Sequence, residues 1–293
     1  MNSKEKEIAL ASIISRHPFP VMGNAEAGLA MLQEDVERRL EKAETNGALL
    51  GDVLGTTLRI AGGRSLLDPQ ASIFPTWDAW VTAMQVGSAV FATATTTEDH
   101  VVCRIAHKDR TFPATGGHRH VNPGTWLTAF YLAAACRERE RLTALCKVPV
   151  SLLRENGSAF PEYYYIWIDT LQTYWQGGTG LGDKLVAAIN ATDPETVADP
   201  VPVQHLIYPP MEMLHRILRD DREGFGRALT NAVEWHKRYW SHESRETQLA
   251  GAVAIAPLAM ACFAHDAGFP IEVESEYLPA ALIGRNWCGE FPT

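Results

Sequence analysis

Leu249-Ala250-Gly251-Ala252-Val253-Ala254-Ile255-Ala256-Pro257-Leu258-Ala259-Met260-Ala261-Cys262-Phe263-Ala264 is apolar at every position and rich in alanine. A membrane span needs about 20 strongly apolar residues, and this run is shorter, weaker and interrupted by Pro257. A helix that is apolar on every side and too short to span is a helix buried in a protein core. Both flanks are polar and aromatic: Trp235-His236-Lys237-Arg238-Tyr239-Trp240 before the run, Glu274-Ser275-Glu276-Tyr277-Leu278-Pro279 after it.

Most of the chain follows the same helical logic. Asn24 is placed to cap a helix whose Leu29, Leu32, Val36 and Leu40 form one face. A second helix carries Leu50, Val53, Leu54, Thr57, Leu58 and Ala61 and is expected to stop at Gly62-Gly63. A third, from about Thr76, sets Trp77, Trp80, Val81, Met84, Gly87, Ser88 and Phe91 at steps of three and four, with Gly87 and Ser88 allowing close approach of a neighbour. Asn122-Pro123 opens a helix with Trp126, Phe130, Tyr131 and Ala134. Pro161 opens another with Tyr164, Trp167, Ile168, Leu171 and Trp175, closed by Gly177-Gly178. Further helices are expected at Leu181 to Ala191, His205 to Leu218 (with Pro209-Pro210 inside), Glu223 to Trp240 and Leu249 to Asp266. The last two are expected to pair as a helical hairpin.

One region breaks the period. Val101 to Ala106 and Arg110 to Pro113 alternate as two short strands around Lys108-Asp109. A lone hairpin is marginal in water, so it must rest on the helices. The expected fold is therefore mostly α, a bundle built from helical hairpins with one small β-hairpin near residues 101–113. The chain reads as one helical domain over residues 1–293, with a weak subdivision at the Pro- and acid-rich stretch 192–203.

Composition limits function. The 293 residues are 46% apolar, enough for a substantial core. Net charge is −9 and pI about 5.6, which disfavours nucleic acid and favours a basic partner. The five cysteines are an odd number without C-x-x-C spacing, as in a reducing compartment. No signal peptide is discernible, so a cytoplasmic location is expected.

No phosphate-binding loop, dinucleotide fingerprint or serine-hydrolase elbow is present. His118 and His120 form an H-x-H pair on a Gly-rich loop, and Glu212 and His215 an E-x-x-H pair on a helix. Each is an incomplete ligand set, so no metal or organic cofactor is expected. The richest cluster surrounds the apolar run. His236, Tyr239, Glu274 and Glu276 would be the groups of an acid/base pocket if the protein were an enzyme. Trp240, Glu274, Glu276 and Tyr277 would instead make an exposed acidic and aromatic surface for a partner. A capping network that closes the core is the third reading, and all three stay open here.

Several long strings are similar to the immunity 49 family of bacterial polymorphic toxin systems. They are Trp77-Asp78-Ala79-Trp80-Val81-Thr82-Ala83-Met84-Gln85-Val86-Gly87, Trp126-Leu127-Thr128-Ala129-Phe130-Tyr131-Leu132-Ala133, Tyr208-Pro209-Pro210-Met211, His236-Lys237-Arg238-Tyr239-Trp240, and Ala264-His265-Asp266-Ala267-Gly268-Phe269-Pro270 through Leu278-Pro279. The resemblance runs from about Phe19 to Leu282. It implies a mostly helical immunity protein that binds and neutralises a cognate toxin inside the producing cell, and it carries no catalytic residues. Two other roles stay open: a cofactor-independent enzyme of a small-molecule pathway, and a helical-hairpin scaffold for other proteins.

Overall fold

The computed structural model describes residues 12–20, 23–155 and 160–293. Helix accounts for 62% of the protein and strand for 7%, against a usual helix content of roughly a third. The elements run β1 (Ser12–Ile14), α1 (Ala25–Ala43), α2 (Leu50–Leu67), α3 (Phe74–Thr95), β2 (His100–Ile105), β3 (Lys108–Pro113), α4 (Pro123–Ala135), α5 (Arg139–Leu145), α6 (Val150–Glu155), α7 (Glu162–Gln176), α8 (Leu181–Asn190), α9 (Pro200–Pro202), α10 (Tyr208–Leu218), α11 (Arg222–Trp240), α12 (Ile255–Asp266), β4 (Val273–Ser275) and α13 (Ala280–Ile283).

The centre is made by the helices with apolar residues all round. α3, α4 and α12 bury most of their positions, α3 packing on α4 and α4 on α12. Amphipathic helices surround them. Consecutive helices pair as α1–α2, α2–α3, α7–α8 and α10–α11, the arrangement short connections favour. Gly87 lets α3 and α4 approach closely: a Cβ there would lie 3.3 Å from that of Ala129.

Local signals hold where the sequence places them. The Asn24 side chain accepts from the Ala27 amide and starts α1, and Asn122 accepts from Thr125 and starts α4, with Pro123 in the first turn. Gly177 ends α7 in the left-handed conformation, which costs glycine nothing.

Four expectations need correction, each because tertiary contact overrides a local rule. α2 runs through Gly62-Gly63 to Leu67. These glycines admit neighbours rather than end the helix: a Cβ on Gly62 would lie 2.6 Å from the Leu249 carbonyl oxygen, and one on Gly63 2.9 Å from the Leu29 side chain. The turn of the β-hairpin is Ala106-His107, not Lys108-Asp109; both residues have positive φ and Ile105 pairs with Lys108. Positive φ at both central positions suits a tight two-residue turn. The conformation is unusual without glycine and is held on α3, where the Gln85 side chain accepts from the Ala106 amide and Asp78 lies 2.9 Å from His107.

Pro209-Pro210 do lie inside a helical stretch, as expected: α9, a π-turn over Val203–Ile207 and α10 follow one another without a break, and the wider turn comes just before the two residues that lack an amide proton. Leu249 to Asp266, by contrast, is not one helix. A 3-10 turn, Leu249–Gly251, is followed by a break, and α12 begins at Ile255. The backbone of the break is engaged elsewhere: Ala254 N–H donates to the Tyr277 carbonyl and the Gly251 carbonyl faces His236. Taken on to Asp266, two residues past the apolar run, the stretch reaches the length and hydropathy of a span after all, yet 61% of it is buried inside the protein. α11 takes α10 as its main helical neighbour, and α12 takes α4, so α11 and α12 do not form the expected hairpin.

An element absent from the local pattern is the pairing of β1 with β4. These strands run parallel, with Ser12 opposite Val273, Ile13 opposite Glu274 and Ile14 opposite Ser275.

Candidate functional site

α11 positions the centre of the site. Asp221 caps its start by accepting from Gly224, and the Gly224 amide and Arg216 together hold the Asp221 carboxyl below its ordinary range. The inward stripe Phe225, Ala228, Leu229, Ala232 and Val233 ends at His236, which is itself buried. Its Nε2 lies 3.1 Å from the Gly251 carbonyl. A carbonyl only accepts, so Nε2 carries the proton and Nδ1 is left with a lone pair. Burial lowers the His236 pKa to about 3, and the neutral ring is the relevant form.

On one side His236 meets the β1–β4 seam. Its ring stands edge-on to Tyr277, with centroids 4.9 Å apart. The Tyr277 hydroxyl accepts from the His17 backbone amide at 2.9 Å and lies 2.6 Å from His17 Nδ1. The consistent arrangement has the phenol donating to Nδ1 while His17 Nε2–H donates to the Glu246 carbonyl, 3.2 Å away. Burial pushes the Tyr277 phenol up to about 12 and lowers His17, so both stay neutral. Arg16 closes the seam: its guanidinium donates to the Ser65 and Glu276 carbonyls, and its amide to the Glu276 carboxylate.

This corrects the expected partner surface. Tyr277 is 0% exposed, so its ring is part of the core and no anchor for a partner. The alternation of β4 explains it. Val273, Ser275 and Tyr277 point inward, and Glu272, Glu274 and Glu276 outward. The acidic half of the expectation does lie at the surface: Glu274 and Glu276 are exposed, with Glu272 beside them. Glu272 and Glu274 make no ion pair among the described residues, whereas Glu276 is engaged by Arg16. Ile13, opposite Glu274 in the register, is 76% exposed.

On its other side His236 faces a cavity of about 260 Å³ between α4, α7, the π-turn and α11. Trp240 is half-buried in its wall rather than displayed on the acidic edge. Tyr131, Tyr164, Trp167 and His205 complete the polar and aromatic lining. Periodicity places Tyr131, Tyr164 and Trp167 on inward stripes. That they enclose space depends on how α4 and α7 cross, which no local pattern records.

The four groups considered for acid/base chemistry do not converge. His236 lines this cavity, Glu274 lines a different one, and Tyr239 and Glu276 line neither. Tyr239 packs against Trp240 and under the Arg245 guanidinium. The two candidate metal pairs are also dispersed. The His120 ring accepts from Arg119 at 2.8 Å, and Glu212 pairs with Arg216 at 3.3 Å. Among the described residues no group of three or more His, Cys, Asp or Glu is placed to hold a metal ion.

The fold and site define a helical protein with an acidic surface edge and a largely apolar cavity that no carboxylate, lysine or arginine lines. The family model described as immunity protein 49 matches residues 68–282. The chain belongs to the immunity protein 49 family. Comparison with curated proteins and with solved structures returns no match.

Proposed function

We propose that this protein is an immunity protein that binds and neutralises a cognate protein toxin in the cytoplasm, and that the outward edge of β4 is its contact surface. The observation that supports this surface is the ordered placement of Glu272 and Glu274 over a buried base of Val273, Ser275 and Tyr277. Carboxylates fixed on a rigid support lose little ordering entropy on binding. They also steer a basic partner and speed its approach. The net charge of −9 acts in the same direction and argues against nucleic acid or an anionic membrane surface as the partner.

The test is binding to candidate toxins from the gene neighbourhood, followed by stopped-flow mixing and calorimetry. Glu272→Lys with Glu274→Lys should slow association by roughly tenfold or more at low salt and flatten its salt dependence. Unchanged association would move the interface to another face.

A further inference from the structure

We propose that the cavity beside His236 is a binding site for a small, neutral, largely apolar ring compound carrying one hydroxyl group, which donates to His236 Nδ1. Three observations lead to it. The first is charge: no Asp, Glu, Lys or Arg lines the cavity. An ionised ligand would lose its hydration there and gain no counter-charge. The second is shape and surface. An apolar cavity of about 150 Å³ holds benzene, so about 260 Å³ admits a two-ring molecule. Tyr131, Tyr164, Trp167 and Trp240 offer it aromatic faces and edges.

The third is a set of unused polar atoms: Trp240 Nε1–H is buried in this lining without a partner among the described residues, and two further groups keep capacity free. The Tyr131 hydroxyl accepts from Trp167 Nε1–H at 2.8 Å, leaving its own proton to give. His236 commits Nε2–H to Gly251, leaving Nδ1 as an acceptor. Burial keeps His236 neutral, so that lone pair persists at physiological pH. A hydroxyl is both donor and acceptor, so it can donate to Nδ1 and accept from a free O–H or N–H of the lining, whereas an ether or a hydrocarbon cannot donate to Nδ1. The few well-placed polar groups in an apolar wall are the usual composition of a small-molecule site. This site is separate from the acidic edge proposed for toxin binding, so either reading can fail without the other.

The experiment uses the full chain and isothermal titration with 2-naphthol, 2-methoxynaphthalene, naphthalene and 2-naphthoate. Saturable binding of 2-naphthol at one site is expected. The ether and the hydrocarbon should bind roughly fivefold to tenfold more weakly, the effect of one neutral hydrogen bond, and the carboxylate weaker still. Ala256→Phe places a ring into the cavity from a half-buried wall position and should abolish 2-naphthol binding while the far-UV spectrum is kept. Absence of 2-naphthol binding to the wild type would overturn the proposal. So would naphthoate binding as tightly as naphthol, or a folded Ala256→Phe variant that binds as before. Equal affinity for naphthol and its methyl ether would remove the role of His236. The ligand series alone decides the matter if the variant fails to fold.

Discussion

The two small sheets of this protein face the same difficulty at opposite sequence distances. β2 and β3 are neighbours joined by a two-residue turn, and β1 and β4 join the two ends of the chain, with His17 and Tyr277 260 positions apart. Neither pair of strands is stable alone, and each is secured by an arginine, buried in the hairpin and half-buried in the seam, and its surroundings. In the hairpin, Arg110 bonds Glu37 at 2.6 Å and Glu44 at 2.8 Å, tying β3 to α1 and its C-terminal cap. In the seam, Arg16 bonds mostly backbone carbonyls, and the support beneath is the neutral His17–Tyr277–His236 cluster. One sheet is fastened by charge and the other by uncharged rings in the core, so they should fail under different perturbations.

The largest effect should come from the rings. Tyr277→Ala removes a fully buried aromatic and the partner of His17, and should lower unfolding free energy by about 4 kcal/mol in a urea titration. A loss below about 1 kcal/mol would mean that the β1–β4 seam opens independently of the core. Arg110→Met strikes the other sheet. Breaking a buried ion pair costs roughly 3–5 kcal/mol. Both carboxylates here are more than a third exposed and can be rehydrated, so about 3 kcal/mol is expected from the same titration. An unaffected midpoint would show that packing alone holds the hairpin.

Acid should then separate the two. His236 has a folded pKa of about 3 against 6.5 unfolded, so its contribution is fully present above pH 6.5 and is lost as pH falls toward 3. His17 is lowered too and adds to the same direction. The hairpin behaves differently: bonding to Lys108 and Arg110 lowers the Glu37 pKa below 4.5, so its contribution persists above that value and fails only at lower pH. Between pH 7 and pH 5 the wild type should lose about 2 kcal/mol through His236. His236→Gln, whose amide can still donate to Gly251, should flatten that slope. Parallel curves for the two proteins would show that His236 does not titrate in this range. The smallest effect is expected at the surface. Glu274→Lys should change stability by less than about 0.5 kcal/mol, and a larger loss would make the acidic edge a structural cap.

The contrast also explains what was legible before the structure. The hairpin appears as two alternating runs, and its one error, the turn position, arose because Gln85 and Asp78 hold Ala106-His107 from another helix. The seam gave no such signal. The alternation Glu272-Val273-Glu274-Ser275-Glu276-Tyr277 was present in the sequence and already separated the carboxylates from Tyr277. With only three residues in the strand it did not say which face would be covered. β1 carries no local feature that points to a partner so distant in sequence. Likewise, Tyr131, Tyr164, Trp167 and His236 lie on helix stripes that read equally well as core or as lining.

The sequence by itself determined the helices, their caps, the central apolar helices, the hairpin and the family, because each depends on residues within a few turns of one another or on long strings in order. Only the tertiary structure decided that Tyr277 is core, that Trp240 walls a cavity, and that His236, Tyr239, Glu274 and Glu276 do not share one site. Those outcomes depend on where α4, α7, α11 and the two ends of the chain meet. Backbone periodicity sets which way a side chain faces along its own element, but the burial of that face is settled by whatever the rest of the chain packs against it.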